Sequence, residues 1–94
     1  MNTEINDDIY LAYIKGIAKG VGKINAATLA LGAEKPQSKG DAHKLLNRFG
    51  HFASSTPERK VMLAEANVER TRKALNSYEQ KLQIAQQEMT NASQ

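Results

Sequence analysis

Val61, Val68, Leu75, Leu82 and Met89 recur at every seventh position, and Ala64, Thr71, Tyr78 and Ala85 stand three residues after the first four. A 3.5-residue apolar period stays on one face only where helices supercoil, so these positions read as the a and d sites of a coiled-coil seam. Glycine and proline are absent from 58 to 90, which predicts one uninterrupted helix of ~50 Å at ~1.5 Å per residue. Its start is marked. Ser55 and Thr56 can accept first-turn amide hydrogens, Pro57 suits the first helical position, and Glu58 completes a Ser-x-x-Glu box.

Nearer the N-terminus, Ile9, Tyr13, Ile14, Ile17, Val21, Ile24, Thr28 and Leu31 form an i, i+3, i+4 ladder that Asn6 or Asp7 can cap and Gly32 can end. Gly16, Gly20 and Gly22 interrupt it, each costing a helix ~1 kcal/mol relative to alanine. Such a cluster either admits a second backbone or breaks the helix near Gly20–Gly22; the expectation is a continuous or kinked helix of ~35 Å. The polar stretch Gly32–Gly40 reads as a loop, followed by a short helix capped by Asp41. Ala42, Leu45, Leu46 and Phe49 give that helix an apolar face, with Gly50 placed to end it and Phe52 folding back.

The predicted fold is therefore all-α: three helices in an antiparallel helical hairpin, with a long C-terminal coiled-coil helix that outruns the first by ~15 Å and a short middle helix at the connecting end. Residues 1–94 read as a single domain, with 1–5 and 91–94 frayed.

Composition adds limits. The chain has 94 residues and no cysteine, so neither disulfides nor thiolate zinc can support it. About a third of its apolar residues are alanine, which bury little area each and leave a thin core that favours self-association. The acidic opening MNTEINDD lacks the character of a targeting peptide, and the uncharged run Ile24–Ala33 is too short to span a bilayer; a cytoplasmic location is expected. Formal charge is +3, but Lys15, Lys19, Lys23, Lys35, Lys39, Lys44 and Arg48 face only Glu34 and Asp41 in the middle of the chain.

Candidate chemistry is sparse. KGIAKGVGK at 15–23 resembles a phosphate loop but lacks the Walker spacing and the Ser or Thr after its lysine. Lys15, Lys19 and Lys23, four residues apart on one helix, would form a basic stripe, to which Lys44 and Arg48 could add; nucleic-acid phosphates or an acidic protein face are the partners such a patch fits. His43, Asn47 and His51 also recur every fourth residue, but two histidines ~12 Å apart along a helix cannot share a metal ion. No cofactor is expected, and no catalytic motif stands out.

The flanks of the seam carry more information. Glu65, Arg72, Glu79 and Gln86 line one edge; Lys60, Asn67, Ala74, Lys81 and Glu88 line the other. Two such helices crossing antiparallel near Leu75 would set Arg72 against Glu79 and Lys60 against Glu88. The seam should therefore be covered, either by the Ile14–Ile17–Val21–Ile24 face or by a second copy in a homodimer.

The opening MNTEINDD, the small basic helical middle and the helix TPERKVMLAEANVERTRKAL resemble the small accessory proteins of temperate enterobacterial phages, of the anti-RecBCD kind. The resemblance implies a non-enzymatic protein of the host cytoplasm that binds and modulates the recombination nuclease RecBCD. It carries over no individual residue, and the basic charge departs from DNA mimicry by a negative surface. The residues alone point to a helical binding protein with Lys15, Lys19, Lys23, Lys44 and Arg48 as electrostatic contacts. Val61, Val68, Leu75, Tyr78, Leu82, Ile84 and Met89 would form the apolar partner-binding or dimer seam. A small nucleic-acid-binding protein and a purely structural coiled-coil homodimer are the alternatives.

Overall fold

The computed structural model describes residues 4–92. It is all-helical over that range: α1 (Asp7–Ala18), α2 (Lys23–Leu31), α3 (Lys39–Ser54) and α4 (Pro57–Ala92). Four helices replace the three expected because the first ladder is cut in two. α1 starts where Asn6 Oδ1 accepts the Ile9 amide hydrogen at 2.9 Å, with Asp7 and Asp8 at the positive end of the dipole. It stops at Lys19, and Gly20 takes φ +92°, a left-handed conformation that costs glycine little.

Gly16 serves the other purpose open to a glycine. A Cβ there would sit 2.9 Å from Ala26 Cβ, so its bare backbone lets α2 fold back closely onto α1. The cluster thus both breaks the helix and admits a neighbour, at different residues. α2 ends as expected, on Gly32 at φ 66°.

α3 begins at Ser38 rather than Asp41: Ser38 Oγ accepts the Asp41 amide hydrogen at 3.1 Å, which leaves Asp41 in the first turn. Nor does Gly50 end it. The helix continues to Ser54 because Phe49 and Ala53, four residues apart, are both buried, and that burial outweighs one glycine at ~1 kcal/mol.

α4 is capped by Thr56, whose Oγ1 accepts the Arg59 amide hydrogen at 3.2 Å. Ser55 is used differently from the expected box: its hydroxyl donates to the Phe52 carbonyl and accepts from the Arg59 guanidinium.

α1 touches all three other helices, α3 bridges α2 and α4, and α2 does not meet α4. The core joins Tyr10, Tyr13, Ile14 and Ile17 to Ala26, Ala27, Phe49, Ala53 and Ala66. Tyr13 stacks on Phe49 with ring centroids 4.3 Å apart. Much of the remainder is alanine, which lets short helices pack closely but buries little area. Arg59 ties three elements together. Its carbonyl accepts the Tyr10 hydroxyl at 2.7 Å, and its guanidinium meets Asp7 at 2.8 Å while lying 3.8 Å over the Phe52 ring. Burial pushes the Tyr10 and Tyr13 hydroxyls above the ordinary pKa of 10.0; at Tyr10 nearby Tyr13 adds to the rise and Arg59 opposes it.

The expected two-armed hairpin is therefore a compact head with a single arm. The first turns of α1 and α4 meet through Asp7, Tyr10 and Arg59, and every residue from Arg70 to Ala92 is exposed. At ~1.5 Å per residue the arm projects ~35 Å, about twice the expected overhang. The principal extents are 63 × 32 × 18 Å. At the ends, Ile5 packs against the core and α4 runs to Ala92; residues 1–3, 93 and 94, most of those expected to fray, lie outside the described residues.

Candidate functional site

α4 has two apolar faces, and the head takes the one that the heptad does not mark. Ala66 is buried, and Arg59, Met62 and Leu63 are half-buried against the head. These are b, c and f positions. Val68 lies ~160° around the helix from Ala66 at ~100° per residue, so the a positions face away from the head. Cover of the seam by the Ile14–Ile17–Val21–Ile24 face, expected from sequence, does not occur. Ile14 and Ile17 are buried instead against the alanines of α2 and the b, c and f face, while Ile24 is exposed.

The seam stands open to solvent. Val61, Val68, Leu75, Tyr78, Leu82 and Met89 are each between 54% and 68% exposed. Val68, Thr71 and Leu75, with Asn67 and Arg72 at the sides, enclose a shallow, mainly apolar depression along it. Ile84 is equally exposed but falls at a c position. It lies on the head side of the helix beyond the head's reach, and does not belong to the seam with which it was grouped.

Charged flanks border this stripe. Lys60, Glu65, Arg72, Glu79, Lys81 and Glu88 are all exposed. Arg72 has one local contact, with Glu69 at 3.5 Å, and the Lys81 ammonium sits 5.7 Å from the Tyr78 ring centroid. Asn67 Oδ1 is shielded from water and has no donor. A surface built this way can bind another helix: large apolar side chains fill its holes, and alternating charges select orientation and register.

The basic residues do not form the single helical stripe expected of them. The break after α1 leaves Lys15 in its last turn, Lys19 at its cap and Lys23 at the start of α2. Lys15 and Lys19 line a depression between these helices with Val21 and Leu29. Arg48 is half-buried and lines a separate depression with Glu4, Phe52 and Arg59, while Lys44 is exposed on α3. His43, Asn47 and His51 are exposed on α3. Among the described residues no three His, Cys, Asp or Glu side chains converge on a metal geometry.

Two features escaped the sequence reading. Met62, Leu63 and Ala66 carry helical spacing, yet the heptad beside them is the stronger signal. Arg59 has no motif at all: its role depends on Phe52, Ser55, Asp7 and Tyr10 arriving together. Among the described residues no helix is long and apolar enough to cross a membrane. Comparison with protein-family models, curated proteins and solved structures finds no match to this chain.

Proposed function

We propose that the chain is a non-enzymatic helical docking protein whose compact head holds out a long helix so that its heptad seam binds a macromolecular partner. One observation carries the reading: α4 packs on the head with its b, c and f face and leaves its a and d face exposed from Val61 to Met89. A contiguous apolar stripe with charged borders is the arrangement of a helix-recognition surface, with the large side chains as anchors. The resemblance to phage accessory proteins names one candidate partner class, a host recombination nuclease, which such a surface would modulate by docking.

Photo-crosslinking around the circumference of the arm tests the reading. A photoreactive residue in place of Leu75 or Leu82 is expected to form intermolecular adducts, whether the purified chain or a bacterial lysate surrounds it, while the same residue in place of Ser77 forms few. Equal yields from all three positions, or none from the seam, would overturn it.

A further inference from the structure

We infer that the occupant of the seam is a second copy of this chain, laid antiparallel along α4 and crossing it near Leu75. The inference rests on the docking role of the seam and goes further by fixing occupant, direction and register.

Space for the second copy follows from the two-faced helix. In an antiparallel pair centred between Leu75 and Tyr78, the end of one chain's arm runs back along residues 61 to 69 of the other. Those residues carry the head, but on the b, c and f face; Val61 and Val68 on the opposite side are 54% and 57% exposed. The whole seam can therefore be used without moving the head. Seam and flanks together supply roughly the twenty residues a side of a standard interface.

Direction follows from side-chain size. Parallel, in-register packing would oppose like with like: Tyr78 against Tyr78, and Ala64 against Ala64 with a void between. Antiparallel packing sets a against d, so that Val68 faces Ala85, Met89 faces Ala64, Leu82 faces Thr71 and Leu75 faces Tyr78. Each small residue then meets a large one, as an interdigitated seam requires.

Register follows from charge. In the same register Arg72 faces Glu79 of the second copy, Glu65 faces Gln86 and Asn67 faces Glu88. Symmetry repeats each pairing. Sliding the partner by one heptad in one direction sets Glu65 against Glu79 and Arg72 against Arg72. Sliding it the other way sets Glu79 against Glu79. Like charges penalise both neighbours and spare only the central register.

Analytical ultracentrifugation of the full chain, with circular dichroism as a folding control, tests the occupant. A dimer is expected at ~50 μM, with Arg72→Glu and Glu79→Arg each weakening it about tenfold or more and the double variant restoring it, because the swap re-forms the pair. Both sites are exposed, so the head should fold in every variant. Spin labels on Gln87→Cys, which points outward, should lie ~40 Å apart in the dimer; parallel packing would place them at ~20 Å. A monomer up to ~200 μM, a double variant no better than the singles, or the short distance would overturn the inference. A monomer whose seam still crosslinks to another macromolecule would discard the second copy and keep the docking reading. Loss of seam crosslinks under all conditions would discard both.

Discussion

Within α4, residues 57–69 and 70–92 share one helix and one heptad, yet the first stretch is pinned to the head and the second is exposed on every side. The difference lies on the face opposite the seam. In the first stretch the b, c and f positions include Met62, Leu63 and Ala66; from Glu69 to Gln83 they read Glu69, Arg70, Lys73, Asn76, Ser77, Gln80 and Gln83, with Ile84 an isolated apolar residue beyond. The head ends where that face turns polar. The seam keeps its apolar residues through both stretches, so it runs on beyond what packing the head requires. On the proposed reading, intramolecular packing and intermolecular docking use opposite sides of one helix.

Breaking the head should have the largest effect. Phe49, fully buried and stacked on Tyr13, should cost ~3–5 kcal/mol as Phe49→Ala, read by urea unfolding. That would leave a domain this small largely unfolded. Gly16→Val should follow at ~1–3 kcal/mol, since even a Cβ there meets Ala26. An unchanged unfolding midpoint would show that α2 does not depend on that close approach.

Tyr10→Phe should cost ~1 kcal/mol by deleting the hydrogen bond to the Arg59 carbonyl. The same tyrosines set a pH dependence. Burial raises their pKa values above 10.0 in the folded chain, so the unfolded chain gives up these protons first. Their contribution is intact below about pH 10 and is lost as pH rises through the higher folded values. Thermal melts should fall through that alkaline window, and less steeply in Tyr10→Phe.

Smallest of all should be Leu82→Ala measured well below the concentration of association. Head stability should change by no more than ~0.5 kcal/mol, although the substitution removes a seam side chain and should weaken docking. A large loss in the isolated chain would mean that the arm is part of the folding unit.

The sequence was most legible where local chemistry acts alone. The absence of glycine and proline from the long helix, the Asn6 cap and the Gly32 stop need no tertiary knowledge, and all three are present. The glycine cluster was readable only as a pair of alternatives, because the fold-back that brings Ala26 of the next helix to Gly16 is what gives Gly16 a different task from Gly20. Assignment of the seam's neighbour failed for a related reason. Met62, Leu63 and Ala66 have little area beside five heptad repeats, and only the assembled head shows that they suffice to hold α4. The basic row was lost with the helix break, since a four-residue spacing means one face only while the helix continues.

The central claim is that the outer face of the arm exists to be covered. A lone helical extension has no tertiary packing to hold it and should be marginal in water even when a folded head nucleates it. Amide hydrogen exchange across α4, followed over a dilution series, tests this directly. Residues 72–90 should be protected at high protein concentration and approach unprotected rates on dilution, while the amides of α1 and residues 60–67 stay protected throughout. Strong protection of the arm that does not change with concentration in the isolated chain would contradict the claim, because it would show the arm to be stable without company.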